Sequence, residues 1–338
     1  DPVGLSKLSS NENPHGPSPA AVEAIEATAP TVNVYPKTSH TDLTARIADK
    51  WGLDPEQVWV SPGADGAIDY VSRAFLEPGD AALLPDPGFS YYPMSTRYHH
   101  GEVTTYPVRK ADGFEQTAAD VLDVYDGERM VHVTTPHNPT GSTVPPAELR
   151  ALAEGVDDHT LVAVDEAYGE YAEDPSAIHL LDEYDNVAVL RTFSKAYGLA
   201  GLRVGYAAVP AGWADAYAEV NTPFAANEVA CRAALAALDD DDHLELSVET
   251  ARWAREYYRE HLDVPTWPSG GNFVLCDVGD GEAVAAACQR QGVIVRDTAS
   301  FGLPECVRVS CGTREETEAA VETINEVVSE IRPEASSP

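Results

Sequence analysis

Three short apolar runs in this chain end in side chains that could act together on one small molecule. The run Met130-Val-His-Val-Thr134 leads into Thr135-Pro-His-Asn-Pro-Thr-Gly141, which offers the amide of Asn138. Leu161-Val-Ala-Val164 leads into Asp165-Glu-Ala-Tyr168, a carboxylate and a phenol, and Val187-Ala-Val-Leu190 leads into Thr192-Phe-Ser-Lys195, an amine. A fourth run, Gln57–Ser61, precedes Ser61-Pro-Gly-Ala-Asp-Gly66, which opens a helix whose free N–H groups and dipole suit an anion. An amine can bond to a carbonyl carbon, a carboxylate can hold a cation, and a phenol with an amide can serve an oxygen anion. Each feature alone is ordinary: Asn-Pro-Thr-Gly is a common turn, and an Asp at a strand end often caps a helix. Lys195 is less ordinary. The chain has only five lysines, and this one sits among small and apolar residues.

The elements around these residues make the set coherent. Short buried runs, with Ala81–Leu84 among them, alternate with amphipathic stretches such as Thr117–Tyr125 and Pro146–Glu154, the latter closed by Gly155. Such alternation predicts an α/β fold, a mostly parallel sheet with helices on both faces and its site at the carboxyl ends of the strands. Ser18-Pro19 predicts a helix start running to about Thr28. After about residue 225 the pattern changes to long helices over 225–238 and 243–262, with Asp239–Asp242 as a solvated helix start. Short strands follow near Asn272–Cys276, Val293–Arg296 and Val307–Ser310, then a last helix from Arg314 to Ile331. We expect an N-terminal segment (1–29) packing on a smaller α/β C-terminal domain (229–332), a large domain (30–228) and a disordered tail (333–338).

A helix-borne phosphate seat, a buried carboxylate, a phenol and an amine together match the needs of pyridoxal 5'-phosphate. The ordered motifs Asn11-Glu-Asn-Pro-His-Gly-Pro-Ser-Pro19, Tyr35-Pro36, Gly63-Ala-Asp65, His137–Gly141, Asp165–Tyr168, Thr192–Lys195, Arg203, Val295-Arg296, Ser300–Pro304 and Arg308–Glu316 extend this over nearly the whole chain. The sequence resembles the class I and II aminotransferases of fold-type I, and within them the histidinol-phosphate branch. The resemblance implies that Lys195 bonds to the cofactor aldehyde, that Asp165 pairs with the ring nitrogen, and that Asn138 and Tyr168 meet the ring oxygen. Gly63, Ala64, Asp65, Ser194 and Arg203 are expected at the phosphate, with Thr192 assisting, and Phe89 on the ring. Asn13, His15, Arg296 and Arg308 are expected to bind substrate, and Tyr35 to reach the cofactor of the partner in a homodimer. The implied activity is transamination of L-histidinol phosphate with 2-oxoglutarate. Rival readings are a threonine-phosphate decarboxylase, an aromatic or broad-range aminotransferase, or a non-catalytic binding or regulatory protein of the same fold. Three positions, Gly66, Phe89 and His137, differ from residues common in that family.

Composition narrows the setting. Asp and Glu number 56 against 22 Lys and Arg, a formal net charge of -34, which argues against nucleic acid or anionic membrane as a partner. No stretch is long and apolar enough to span a bilayer; we expect no secretory leader, and five cysteines without a Cys-x-x-Cys pair fit reduced thiols, no metal site and a cytoplasmic enzyme. Acidity spread along the whole chain, with lysine scarce, reads as adaptation to salt. At about 1 M salt the screening length falls to roughly 3 Å, which relieves the self-repulsion. Far-ultraviolet circular dichroism across a KCl series is expected to show folding only at high salt. Equal stability in dilute buffer would contradict the halophilic reading.

Overall fold

The computed structural model describes residues 5–37 and 40–331. In chain order its strands begin with β1 (Ser6–Lys7), β2 (Val58–Ser61), β3 (Ala81–Asp86), β4 (Glu102–Pro107), β5 (Met130–Thr134) and β6 (Leu161–Asp165). Then come β7 (Val187–Thr192), β8 (Gly205–Ala208), β9 (Phe273–Asp277), β10 (Val293–Ile294), β11 (Arg296–Asp297) and β12 (Cys306–Ser310). Seven strands form one sheet in the order β2-β8-β7-β6-β5-β3-β4. Only β8 runs against its neighbours, because the chain turns back directly after the lysine segment to pair with both β7 and β2.

The central strands are buried on both faces, which is why they read as continuous apolar runs rather than alternating ones. Val131, Val133, Val162, Val164 and Val189 face one apolar cluster, while Met130, Leu161, Ala163, Ala188 and Leu190 face the other. Each fully buried Val or Leu side chain contributes roughly 1.5–3 kcal/mol, so register here is strongly fixed. Parallel pairing of β5, β6 and β7 aligns their carboxyl ends, setting Thr134 opposite Asp165 and Asp165 opposite Leu190. Asn138, Asp165, Tyr168 and Lys195 therefore emerge at one rim.

The remaining strands form a three-stranded antiparallel sheet, β11-β12-β9, and a parallel pair, β1-β10. A third apolar cluster lies here, built from Phe273, Val274, Val307, Val309 and the last helix, Arg314–Ile331. Through β1 and Leu8 the start of the N-terminal segment joins this unit. The helix Pro19–Thr28, capped by the Ser18 hydroxyl, instead packs near the Glu228–Ala237 helix, whose alanines enter the core of the large sheet. Asp240 caps the Asp241–His261 helix, so the aspartate run is a helix start. All five cysteines are buried and unpaired, and among the described residues no helix is long and apolar enough to cross a membrane. The expected tail, 333–338, lies outside the described residues.

Three expectations change. The Val293–Arg296 strand is two strands serving different sheets, because β10 pairs with β1 and β11 with β12. Gly155 does not stop its helix in a left-handed turn: it lies inside Pro146–Gly155, where a Cβ would meet Leu122 Cδ1 at 2.5 Å. Its role is close packing. Strands β4 and β8 were not foreseen; three of the first four residues of β4 are exposed, and β8 is only four residues long.

Arg191 on β7 is 3% exposed and ion-paired with Glu166, which follows β6, and with Glu170 at 2.6 Å, while its guanidinium lies 4.9 Å from the Trp51 ring. This buried triad ties together the strands that carry Asp165 and Lys195. Arg191→Met leaves two buried carboxylates without a counter-charge, and urea unfolding in high KCl should show a loss of about 3–5 kcal/mol.

Candidate active site

The ends of β5, β6 and β7 open into a cleft of about 370 Å³. Of the residues singled out above, Ala64, Asp65, Phe89, Asn138, Asp165, Tyr168, Thr192, Ser194, Lys195, Arg203, Arg296 and Arg308 line it. Gly63 stands behind the wall as the first residue of the Gly63–Phe75 helix. It has φ +77°, and a Cβ there would lie 2.6 Å from Arg203 Nη2. Gly66 is also required, since a Cβ would meet Pro62 Cδ at 2.4 Å. The departure at Gly66 thus has a local steric cause.

One end of the cleft is made for an anion. Arg203 donates to Ser194 Oγ at 3.1 Å and to Asp65 Oδ2 at 3.1 Å, beside the free N–H groups of the helix start. Thr192 Oγ1 donates to Ser194 Oγ at 3.0 Å and accepts from the Ser194 N–H, which fixes the serine.

The same cleft holds a carboxyl group with no ion-pair partner among the described residues. Asp165 Oδ2 accepts from the Tyr92 hydroxyl at 2.6 Å, and Oδ1 accepts from the Ala167 N–H at 2.9 Å. Burial outweighs these bonds and pushes the Asp165 pKa up to about 6. Tyr92 also bonds Thr134 Oγ1 at 2.7 Å and stacks on the buried His132 ring at 4.7 Å. A carboxylate so placed is suited to a cation arriving in the cleft.

Lys195 Nζ donates to the Ser10 carbonyl at 3.3 Å and lies 5.6 Å from the centre of the Tyr168 ring. Arg308 is 6% exposed; it donates to Asn138 Oδ1 and, at 2.8 Å, to the Ser9 carbonyl, leaving Nε without a partner. Burial lowers its pKa, so an anion beside it would be favoured. Arg296 is exposed at the rim next to Ser300 and Phe301. His137 is buried, bonds Thr140 Oγ1 at 2.8 Å and is pushed down by burial to about 4; as a neutral ring it braces the turn that presents Asn138.

Three expected residues are not brought into the cleft. Asn13 Nδ2 donates to the Ala196 carbonyl and to Ser247 Oγ, both at 2.8 Å, and His15 Nε2 bonds Thr250 Oγ1 at 2.8 Å. Tyr35 is 79% exposed and packs on Phe224 with ring centres 4.7 Å apart. Conversely, Tyr92, Ser9, Ser10, Asn11 and Phe301 line the cleft without having been singled out as site residues. Asn11 and Phe301 fall inside motifs quoted above, whereas the only sequence signal for Tyr92 is its position three residues after Phe89.

Asp165 carries a pH signature. Its pKa is raised on folding, so the unfolded chain releases the proton first and stability falls as pH rises from the ordinary carboxylate value through about 6. In cofactor-free protein, Asp165→Asn removes that penalty. Thermal melts should show the variant more stable than wild type at pH 7.5, with the difference shrinking toward zero at pH 4.5; a constant difference would contradict the burial of the charge.

Comparison with known proteins places the whole chain. Residues 4–324 match the family model described as aminotransferase class I and II. The histidinol-phosphate aminotransferase of Haloquadratum walsbyi is 71% identical over 331 residues, 98% of this chain and 88% of its own. That of Haloferax volcanii is 72% identical over 331 residues, 98% of this chain and 92% of its own; both sources are halophilic archaea. Among solved structures, histidinol-phosphate aminotransferase from Sinorhizobium meliloti in complex with pyridoxal-5'-phosphate superposes with a TM-score of 0.89 at 27% identity, covering 97% of this chain and 91% of that one. The enzyme from Clostridium acetobutylicum shares the fold, with a TM-score of 0.88 at 20% identity over 96% and 100% of the two chains. This chain belongs to the class I and II aminotransferase family, with the fold-type I architecture.

Proposed function

We propose that the protein is a pyridoxal-phosphate-dependent histidinol-phosphate aminotransferase, exchanging the amino group of L-histidinol phosphate with 2-oxoglutarate. Identity above 70% to enzymes of that name over nearly the whole chain carries this reading. The donor set of the cleft fits the cofactor: an anion seat at Arg203 and Ser194, an unpaired carboxyl at Asp165, a phenol at Tyr168 and an amine at Lys195. Bound there, the cofactor supplies an aldehyde to capture the amino group and a protonated ring to draw off electrons.

The chain's own residues do the rest. Arg203, Ser194 and the N–H groups at Ala64 and Asp65 hold the phosphate, while Gly63 keeps the helix start close to Arg203. Asp165, ionised once a cation lies beside it, keeps the ring nitrogen protonated; Tyr92 and the Ala167 N–H hold the carboxylate in place. Asn138 and Tyr168 meet the ring oxygen, and Phe89 covers the ring face. Lys195 Nζ, the one lysine lining the cleft among the described residues, would hold the aldehyde and would serve as the base that moves the proton at the substrate α-carbon. Arg308 and Arg296 take the phosphate of one substrate and the carboxylate of the other in turn, which guanidinium groups suit.

Tyr35 serves the active site of a second subunit in this reading. Val32, Val34, Tyr35 and Phe224 all point outward, and Val32 and Val34 are 66% and 63% exposed. Exposed apolar side chains this close together fit a homodimer contact. The setting is the cytoplasm of a salt-adapted cell.

Lys195→Ala tests the reading. In high KCl the variant should keep its fold and bind pyridoxal phosphate reversibly, yet form glutamate from 2-oxoglutarate and L-histidinol phosphate about a hundred- to ten-thousand-fold more slowly. Retained turnover would remove Lys195 from the chemistry.

A further inference from the structure

Asn11 lies in the N-terminal segment that crosses the cleft, 1% exposed and in the left-handed backbone region at φ 54°. All of its polar groups are engaged. Its N–H donates to Ser310 Oγ at 2.8 Å, and its carbonyl accepts from Asn272 Nδ2 at 3.1 Å. Its side-chain Oδ1 accepts from Ser310 Oγ at 3.0 Å, and Nδ2 donates to the Tyr168 hydroxyl oxygen at 2.9 Å.

The direction of the amide follows from Ser310. That buried hydroxyl already accepts the Asn11 N–H and has one hydrogen to give, and Asn11 Oδ1 is where it goes. Turning the amide over would aim an NH2 at Ser310 and leave the serine hydrogen with no acceptor among the described residues. Nδ2 therefore faces Tyr168, and the phenol oxygen accepts from it. The Tyr168 hydrogen must then point elsewhere. Tyr168 is 5% exposed and lines the cleft, and its hydroxyl has no protein acceptor among the described residues.

We propose that Asn11 is a positioning residue that commits the Tyr168 hydroxyl to donate into the cleft, onto the anionic oxygen of the cofactor ring. The inference rests on the proposed role of Tyr168 at that oxygen. Ser310 and Arg308 lie two apart on β12 and so share a face, and the Arg308 guanidinium reaches the carbonyl of Ser9 in the same crossing segment. One strand thus orients the substrate arginine and, through Asn11, the phenol.

The test uses the full-length protein loaded with pyridoxal phosphate in high KCl, reading the pH midpoint of its visible absorption rather than turnover. A donor to the ring oxygen favours the form in which that oxygen bears its full negative charge, so losing the donor raises the midpoint. Tyr168→Phe should raise it by about one unit. Asn11→Asp keeps the side-chain shape but turns the donor facing Tyr168 into an acceptor, and should raise it by about as much. In the Tyr168→Phe background Asn11→Asp should add nothing; a further rise there would mean that the new charge, not the hydroxyl direction, moves the midpoint, and would overturn the inference. An unchanged midpoint in Asn11→Asp, with Tyr168→Phe shifted, would overturn it too and leave the role of Tyr168 intact. An unchanged midpoint in Tyr168→Phe would remove that role and the inference with it. Should Asn11→Asp fail to fold, Asn11→Gly keeps the left-handed backbone; part of the same rise is expected, and none would defeat the proposal.

Discussion

A carboxyl group buried at the end of a central parallel strand, with no cation paired to it among the described residues, is the constraint around which this molecule is arranged. Asp165 is costly where it stands: burial holds its pKa near 6, and only Tyr92 and one backbone N–H partly offset the loss of water. The strands on either side cannot relax to hydrate it, because they are fixed by two apolar faces and by the buried Arg191 triad. A carboxyl with an unmet demand for positive charge, sharing one cleft with an amine and an anion seat, is pre-organised for a ligand that brings a cation to it.

Charge on the larger scale points the same way. The chain carries a formal net charge of -34, yet Lys195, Arg203, Arg296 and Arg308 all line one cleft. Cations are scarce in this sequence, and concentrating four of them around one cleft makes it a local attractor for phosphate and carboxylate in an otherwise repelling field. Salt weakens the long-range repulsion more than the short-range contacts, so a halophilic surface and an anion-binding site are compatible.

The rim was readable from the sequence because it is local. Asn138, Asp165 and Lys195 each follow an apolar run within a few residues, and parallel pairing brings such ends together without further information. What the sequence hid is long-range. Asn11 meets Tyr168 across 157 residues, and Tyr92 meets Asp165 across 73; no periodicity announces either contact. The same limit explains Asn13 and His15, which lie in the right segment but point toward Ser247 and Thr250 on the Asp241–His261 helix. It also explains β10 and β11, two-residue strands whose identity is decided by their partners. Gly155 misled for another reason: a glycine near a helix end signals a left-handed cap or a close contact equally well, and here Leu122 required the contact.

The most direct measurement of the central claim is a single-turnover absorption spectrum in high KCl, mixing the cofactor-loaded protein with L-histidinol phosphate and no oxo acid. The account predicts that the bound cofactor's visible band converts stoichiometrically to the spectrum of its aminated form, and that 2-oxoglutarate restores it. A band that stays unmoved would contradict the substrate assignment while leaving the fold, and a protein that takes up no cofactor would contradict the reading of Asp165 and Lys195 themselves.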